Sequence, residues 1–201
     1  MRIGLFGGSF DPIHEGHLAI ARGARDAGRC ERVLVMVARV PPHKATTAAT
    51  AEDRLAMARL AVAGERGLEV SDLELRREGP SYTIDTVREL KRADARAEIA
   101  LVVGSDSLPE LPKWRDARAL LAETVPLVAP RRGVGREVLE RLRPALGDDA
   151  VERLSRGWLD LPLRDVSATD VRRRVAAGEP IEGLVPRPVA EYVRDHGLYR
   201  A

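Results

Sequence analysis

The sequence predicts an α/β fold in which a doubly wound parallel sheet is covered by helices on both faces. Short apolar runs alternate with helical patterns through the first half of the chain, which is typical of βαβ units. Two of these runs are almost continuously apolar, as expected of strands that are covered on both faces. The length of 201 residues suits a single domain. We expect one domain over residues 1–201, with a small helical part from about 165 to 201.

The apolar runs are the predicted strands. They are "RIGLF" at residues 2–6, "RVLVMVA" at 32–38 and "EIALVVG" at 98–104. A fourth run, "TVPLVA" at 124–129, contains Pro126, which lacks a backbone donor and therefore indicates an edge or an irregular strand. The segments "LEVSDLEL" and "GWLDLP" are weaker strand candidates.

Helical patterns lie between and after these strands. Thr50 with Asp53, and Ser167 with Asp170, have the spacing of a capping box and indicate two helix starts. The predicted helices cover residues 17–27 (ending at Gly28), 51–63, 82–92, the segments "GREVLERLRPALG" and "DDAVERLSRG", a stretch from Ser167 to Gly178, and residues 188–197.

Composition excludes several classes of protein. The 33 basic and 31 acidic residues give a net charge of +2, so no nucleic-acid partner is indicated. The single cysteine, Cys30, rules out an intrachain disulfide. No apolar run approaches the length of a membrane span, and the first residues do not resemble a secretory signal. We therefore expect a cytoplasmic protein without a membrane partner.

The stretch "GGSFDPIHEGHLA" at residues 7–19 follows the first predicted strand and opens a helix. In open α/β sheets, ligands bind where the carboxyl end of a strand meets a helix. The free N–H groups of a helix start favour anions, and Gly7 and Gly8 let the backbone approach a ligand closely. The stretch is neither a "GxGxxG" turn nor a "GxxxxGK[ST]" loop, so another device must hold any phosphate.

His14 and His17 are the candidates for that device. Residues three apart on a helical turn lie on nearly the same face, so both rings can reach one phosphoryl group. One alternative is a zinc site, but no cysteine pair or "HExxH" motif supplies further ligands. The other alternative is two histidines that cap or pack. Their position beside a glycine-rich turn at a strand end favours the phosphate interpretation.

The histidine stretch and several later segments resemble the motifs of a known protein family. "GGSFDPIHEGH" is similar to the first signature of the HxGH nucleotidyltransferase superfamily. The segments "PPHK", "SYTIDT", "GSDSLPELPKW", "VSATDVRRRV" and "LVPRPVAEYVRDHGLY" follow in the order found in bacterial nicotinate mononucleotide adenylyltransferases, and the resemblance covers nearly the whole chain. It implies a Rossmann-like fold and the reaction of ATP with nicotinate mononucleotide to give deamido-NAD and pyrophosphate.

Two further segments have phosphate-binding interpretations. Lys44 lies on a loop after the second strand and is either a solvated lysine or a phosphate contact. Ser167, Thr169 and Arg172 form either an anion cradle at a helix start or a plain helix cap. The resemblance implies that Lys44 contacts the reacting phosphates and that the second group holds the triphosphate of ATP. Ala168 departs from the family pattern by removing one hydroxyl.

The remaining candidates would hold the rings and sugars. Trp114 either stacks on a flat heteroaromatic ring or fills the core, and Asp106 either accepts from ribose hydroxyls or shapes a turn. The resemblance implies that Trp114 stacks on the nicotinate ring, that Tyr82 and Thr83 lie near its carboxylate, and that Arg131 is a family arginine.

Together these assignments define three sets of residues. The set expected to act in catalysis comprises His14, His17, Lys44 and Arg172. The set expected to bind ATP comprises Gly7, Gly8, Ser9, Phe10, Gly104, Asp106, Ser167, Thr169 and Arg172. The set expected to bind nicotinate mononucleotide comprises Lys44, Tyr82, Thr83, Trp114 and Arg131. Mg²⁺ is expected on the ATP phosphates, without a protein metal site.

Several alternatives stay open at this stage. A sister adenylyl- or cytidylyltransferase would share the histidine motif but not the later segments. A nucleotide-binding regulator would not need the histidines, the lysine and the arginine together. The sequence leaves the preference for acid over amide on the pyridine ring open. It also leaves the oligomeric state open, a homo-oligomer included.

Overall fold

The fold was analysed in a computed structural model, which describes residues 1–41, 46–162 and 164–200. Within these residues, five strands form one parallel sheet in the order β3-β2-β1-β4-β5. The strands are β1 (Arg2–Gly8), β2 (Arg32–Val37), β3 (Leu68–Ser71), β4 (Glu98–Gly104) and β5 (Val125–Ala129).

Strand β1 lies at the centre because its residues pair on both sides. Leu5 pairs with Leu34 of β2 and with Leu101 of β4, and all three side chains are buried. Along β2, Val33 and Val35 pack in one apolar cluster, while Leu34 packs in another. The continuous apolar runs therefore arise because successive side chains enter cores on opposite faces of the sheet.

Helices form a layer on each of these faces. The α-helices of the described residues are α1 (Glu15–Ala24), α2 (Ala51–Val62), α3 (Leu73–Arg76), α4 (Thr83–Ala93), α5 (Ala117–Glu123), α6 (Val138–Leu146), α7 (Asp148–Arg156), α8 (Ala168–Ala176) and α9 (Arg187–Asp195). Buried side chains of α1, α2, α8 and α9 share one cluster, and those of α4 to α7 share the other. The doubly wound prediction is thus confirmed, as is the helical C-terminal part. None of the described helices is long and apolar enough to cross a membrane.

Some local predictions were wrong in detail. Helix α1 begins at Glu15, two residues earlier than predicted, and beyond Ala24 it continues as a π-helical segment, Arg25–Arg29. A 3₁₀ segment, Ser105–Lys113, follows β4 where the sequence indicated no element. Its two prolines remove backbone donors, which suppresses an ordinary α-helix there.

The prediction that Pro126 marks an edge strand is confirmed, since β5 is the last strand of the sheet. The segment "GWLDLP" forms no full strand but covers this edge. Val128 donates to the carbonyl of Gly157 (2.9 Å), and Leu159 donates to that of Val128 (2.8 Å). Close approach at this edge depends on Gly157, because a Cβ there would overlap the carbonyl group of Pro126.

Replacement of that glycine is expected to destabilise the fold. In Gly157→Ala the added Cβ would lie 2.8 Å from the carbonyl carbon of Pro126, a backbone atom that cannot rotate away. We expect a loss of at least about 2 kcal/mol in the free energy of unfolding, measured in urea. Gly7→Ala is the matched control, since nothing lies within 4 Å of a Cβ at Gly7. Equal unfolding midpoints for the two variants would contradict the close approach.

Candidate functional site

A cleft of about 360 Å³ opens at the carboxyl edge of the sheet. It lies where β1 and β4 meet, the point from which the strand order runs in opposite directions. Ligands of open α/β sheets bind at such switch points, because the helices leaving the two strands cover opposite faces. The predicted site residues that line it are Gly7, Gly8, Ser9, Phe10, His17, Tyr82, Thr83, Gly104, Asp106, Trp114 and Arg131.

The turn after β1 is shaped by small residues and by Phe10. A Cβ on Gly7 would meet no atom within 4 Å, so this glycine leaves open space in the cleft. A Cβ on Gly8 would lie 2.9 Å from the ring of Phe10, which folds back across it. Phe10 has a φ of 47° and packs edge-on against His17, with 4.9 Å between ring centroids. Gly7 and Gly8, the last residues of β1, therefore bring backbone without side chains to the cleft.

His14 and His17 form a reciprocal cap at the start of α1. The backbone N–H of His17 donates to Nδ1 of His14, and the N–H of His14 donates to Nδ1 of His17, both at 3.3 Å. The rings stack with 3.6 Å between centroids. Because each Nδ1 accepts a hydrogen bond, each ring can carry a proton only on Nε2. The cap thus fixes the tautomer of both histidines.

His14 is buried and neutral at ordinary pH. Burial, together with the nearby Arg131 guanidinium, lowers the pKa of His14 to about 3. Gly16 permits this arrangement, since a Cβ there would lie 3.0 Å from Nδ1 of His14 and 3.1 Å from Nη1 of Arg131. The ring of His14 is therefore a hydrogen-bond donor without a charge, and the positive charge beside it belongs to Arg131.

Arg131 joins the histidines to the end of β4. Its backbone N–H donates to Oγ of Ser105 (2.9 Å), and that hydroxyl donates to the carbonyl of Val134 (2.8 Å). Its guanidinium lies 3.7 Å from the carboxylate of Asp106, with Gly104 beneath both side chains. Arg131 is therefore close to Asp106, which is expected to bind ATP, and to the catalytic candidate His14, although the sequence analysis assigned Arg131 to the mononucleotide.

The candidate ring-binding residues lie at another wall of the cleft. Tyr82 and Thr83 form the start of α4, and the guanidinium of Arg115 lies 4.8 Å from the centre of the Tyr82 ring. Trp114 follows the 3₁₀ segment, lines the cleft and packs half-buried against the core of that face. Trp114 therefore packs against the core, and its stacking on a substrate ring stays a prediction.

Ser167, Thr169 and Arg172 lie outside the lining of this cleft but approach its turn. Ser167 caps α8 by accepting from the N–H of Asp170 (3.1 Å). Arg172 donates to the backbone carbonyl of Asp11 (2.6 Å) and to the hydroxyl of Thr169 (3.4 Å). The second predicted phosphate segment thus contacts the first through a backbone carbonyl 161 residues away in sequence. Lys44 lies outside the described residues.

Sequence reasoning missed a buried network behind the turn. The carboxylate of Asp11 accepts from the N–H groups of Ala48 (2.7 Å) and Ala49 (3.1 Å) and from the hydroxyl of Tyr199 (2.8 Å). Arg54 of α2 is fully buried and donates to the carbonyl of Ser9 (2.7 Å). The sequence does indicate that Arg54 is buried, because Arg54 lies on the same face of the predicted helix as apolar residues.

Glu74 was missed as well. Its carboxyl group is buried and lines the cleft beside Ser81 and Tyr82. The hydroxyl of Thr86 donates to it at 2.6 Å, and burial raises the pKa of this carboxyl. Glu74 thereby ties the short helix α3 to the start of α4. The sequence around it shows no pattern that separates it from a surface glutamate.

Metal binding was tested on the side chains present. No group of three or more His, Cys, Asp or Glu side chains that could hold a metal ion occurs in the described parts of the chain. A metal that keeps water and phosphate ligands needs only one or two carboxylates. Asp106, at the cleft edge, is exposed and could contribute one.

Comparisons with known proteins agree with this geometry. Residues 5–174 match the model of the cytidylyltransferase-like family. The chain is 43% identical to a probable nicotinate-nucleotide adenylyltransferase of Symbiobacterium thermophilum, over 98% of this chain and 95% of that protein. It is 41% identical to a probable nicotinate-nucleotide adenylyltransferase of Neisseria meningitidis, over 98% of each.

Solved structures share the fold. The Plasmodium falciparum nicotinic acid mononucleotide adenylyltransferase complexed with NaAD superimposes with a TM-score of 0.78, at 16% identity, over 98% of this chain and 97% of that one. A putative nicotinate-nucleotide adenylyltransferase from Vibrio parahaemolyticus gives a TM-score of 0.70 at 17% identity, over 99% and 95%. From the family model and the full-length relatives, this chain belongs to the cytidylyltransferase-like family and, within it, to the nicotinate-nucleotide adenylyltransferases.

Proposed function

We propose that this protein transfers the AMP moiety of ATP to nicotinate mononucleotide, forming deamido-NAD and pyrophosphate in NAD biosynthesis. The observation that best supports it is the stacked pair of histidines beside Arg131, in which His17 lines the switch-point cleft and His14 is buried behind it. Two ring donors and a guanidinium suit a polyphosphate at a reacting centre. The shared name of the full-length relatives supports the choice of substrates.

The chemistry needs positioning more than proton transfer. A phosphate oxygen of nicotinate mononucleotide attacks the α-phosphorus of ATP, and the bond from that phosphorus to the β-phosphate oxygen breaks. Pyrophosphate leaves with the bonding electron pair. A phosphate monoester has a second pKa of about 6, so the nucleophile is already anionic at neutral pH. No general base is required, and the site contributes orientation and charge neutralisation.

His14 and His17 supply hydrogen-bond donors in this proposal. Both rings carry their proton on Nε2, and the low pKa of His14 keeps that ring from becoming a cation. A neutral donor can follow the charge that develops on the transferred phosphoryl group without a change of protonation. Arg172 and Lys44 are proposed to neutralise the phosphates. Arg172 is supported by its contact with Asp11 in the turn between β1 and α1, residues 9–14, here called the motif turn.

We propose that the two substrates bind to different sets of residues. For ATP we propose Gly7, Gly8, Ser9, Phe10, Gly104, Asp106, Ser167, Thr169 and Arg172. For nicotinate mononucleotide we propose Lys44, Tyr82, Thr83, Trp114 and Arg131. Thr83 is the first residue of α4, and the N–H groups of a helix start favour a carboxylate.

The metal ion, the domain organisation, the cellular location and the oligomeric state stay predictions. ATP-dependent nucleotidyl transfer generally uses a divalent metal, and we propose Mg²⁺ held mainly by the ATP phosphates, where it would neutralise charge. A single domain over residues 1–201, a cytoplasmic location and a homo-oligomer are further proposals. The shared apolar cluster of α1, α2, α8 and α9 supports the single domain, since it joins the C-terminal helices to the sheet.

Pyrophosphate release distinguishes the candidate functions. We expect release with ATP and nicotinate mononucleotide, and less with nicotinamide mononucleotide. Release with phosphopantetheine instead would indicate a sister enzyme. Binding of ATP without release for any acceptor would indicate a regulator and contradict the proposal.

Loss of a histidine donor is expected to reduce turnover. In His17→Ala, we expect kcat for pyrophosphate release to fall at least about 100-fold, since one preorganised donor is gone. Unfolding should change by only about 1 kcal/mol, the usual effect of losing a helix cap. His196→Ala is the control, because His196 is exposed and stacks on Tyr192. A near-normal kcat in His17→Ala would refute the assignment.

A side chain at Gly7 is expected to block nucleotide without disturbing the fold. Gly7→Val would place methyl groups in the open space of the cleft, where no protein atom lies within 4 Å of the Cβ. We expect the KM for ATP to rise at least about tenfold with little change in thermal stability. Gly7→Ala should give an intermediate KM. An unchanged KM in both variants would show that the nucleotide does not use this space.

Acid is expected to weaken the fold through His14. Its pKa is about 3 in the folded protein, against an ordinary 6.5, so the unfolded chain binds the extra proton between these values. The stability is therefore complete above about pH 6.5 and declines as the pH falls toward 3, by up to about 1.4 kcal/mol per pH unit.

Urea unfolding between about pH 4 and pH 7 checks this expectation. His14→Asn is the matched variant, because its amide keeps an acceptor near the N–H of His17 but does not titrate. We expect a flatter dependence of the unfolding free energy on pH in the variant. Identical slopes in the two proteins would mean that His14 is protonated without cost.

A further inference from the structure

A buried cation lies beneath the motif turn and has no role in the reaction described above. Arg54 of α2 has 0% of its surface exposed and lies on the buried face with Met57 and Ala58. A guanidinium stays protonated in proteins, so this position holds a full charge in the core. Well-packed apolar residues often stabilise a fold more than buried ions do. Packing therefore does not explain an arginine here.

The guanidinium of Arg54 is bound by backbone carbonyl groups. Nη1 donates to the carbonyls of Ser9 (2.7 Å) and Ala38 (2.8 Å), and Nη2 donates to that of Arg39 (3.1 Å). Its Nε has no hydrogen-bond partner within the described residues. The side chain is thus fixed in a planar fork by three hydrogen bonds to backbone carbonyls.

Those carbonyls belong to two stretches at the carboxyl edge of the sheet. Ser9 lies in the motif turn after β1, while Ala38 and Arg39 follow β2 directly. Ser9 and Ala38 both line the cleft, and the N–H of Ala38 donates to the carbonyl of Gly8 (3.0 Å). Arg54 therefore joins the ends of β1 and β2 from behind the cleft.

The hydrogen bond from Arg54 to the Ser9 carbonyl also orients the next N–H group of the motif turn. In a trans peptide the C=O and the following N–H point in opposite directions. Because the Ser9 carbonyl points at Arg54, the N–H of Phe10 must point away from it. Phe10 has a left-handed φ of 47°, which is unfavourable for a residue with a side chain and needs support from its surroundings. The fork on the preceding carbonyl provides such support.

The charge of Arg54 is only partly balanced by the protein. Burial lowers its pKa, and the carboxylate of Asp11 counters part of that shift. That carboxylate is itself bound by the N–H groups of Ala48 and Ala49 and by the hydroxyl of Tyr199. A guanidinium behind a backbone turn favours an anion in front of it, because the low dielectric of the interior weakens screening.

We propose that Arg54 is a positioning residue for the phosphate half of the cleft, holding the Ser9–Phe10 peptide in its anion-binding orientation and adding a fixed positive charge behind it. The inference deepens the proposed adenylyl transfer and rests on it for the identity of the anion, the triphosphate of ATP or its pyrophosphate product. Arg54 itself does not touch the substrate, and it acts through the backbone of the turn.

The test compares Arg54→Met and Arg54→Lys with Arg153→Met. Arg153 of α7 also donates to a backbone carbonyl, that of Thr124, and its Nε also has no partner in the described part of the chain. Thr124 precedes β5 and lies at the amino edge of the sheet, opposite the cleft. Arg153→Met therefore removes an arginine–carbonyl contact at the opposite edge of the sheet, although Arg153 is half-buried and Arg54 is fully buried.

Two readouts separate positioning from a structural role. The first is the Kd for inorganic pyrophosphate, measured by calorimetry, and the second is the KM for each substrate. We expect Arg54→Met to raise the pyrophosphate Kd and the KM for ATP at least about tenfold, with the KM for nicotinate mononucleotide within about twofold. Arg54→Lys keeps the charge without the fork and should recover part of the loss. Arg153→Met should lower stability and leave both readouts unchanged.

The proposal is overturned if Arg54→Met and Arg153→Met bind pyrophosphate equally well. It is also overturned if Arg54→Met raises both KM values alike, since a general loosening of the fold would do that. Should Arg54→Met not fold, Arg54→Lys decides: affinities equal to wild type would show that the fork is not needed. If wild-type protein fails to form deamido-NAD, the proposed function fails, and the pyrophosphate titration still tests Arg54.

Discussion

Parallel strands place their carboxyl ends on one edge of a sheet, and the site depends on that constraint. Strand β1 pairs with both β2 and β4, and the chain leaves these neighbours toward opposite faces. A crevice must open above β1, because the helices on its two sides cannot cover it. The motif turn, the start of α4 and the end of β4 reach this crevice from different layers. Topology alone therefore assembles groups that are distant in sequence.

Small residues let charged and ring groups share this crevice. Gly16 admits the Arg131 guanidinium beside His14, and Gly104 leaves room for Asp106. A methyl group at Gly16 would press on both the His14 ring and the Arg131 guanidinium. Burial is the larger cause of the low pKa of His14, and the nearby guanidinium adds to it. The glycine between the two histidines thus acts on electrostatics as well as on backbone shape. Because Gly16 has no side chain, the Arg131 guanidinium can lie close enough to His14 to contribute to the lowering of its pKa.

The sequence was sufficient where the determinants are local. Continuous apolar runs predicted β1, β2 and β4, since burial on both faces leaves that signature in consecutive residues. The spacing of His14 and His17 predicted neighbouring rings, and the structure adds that they cap each other. The motifs and the family resemblance together predicted nearly half of the residues that line the cleft.

Contacts between distant segments were beyond the sequence. The hydroxyl of Tyr199 meets Asp11 across 188 residues, and nothing local in either segment indicates a partner. The apolar stripe of α2 indicates that Arg54 is buried, but its partners at the ends of β1 and β2 are known only from the fold. The same holds for Glu74, whose burial depends on the docking of α4. The contacts of such residues are known only once the fold is known, whereas the histidine motif can be found in the sequence alone.

The mutual cap of the histidines links folding of α1 to the chemistry of the site. The first N–H groups of a helix need acceptors, and here two of them take the Nδ1 atoms of the rings. A ring that accepts at Nδ1 can hold its proton only at Nε2, so the helix start selects the tautomer that donates from that atom. Separate residues for capping and for phosphate binding would leave the tautomer free. In this arrangement, forming the helix also prepares the donors.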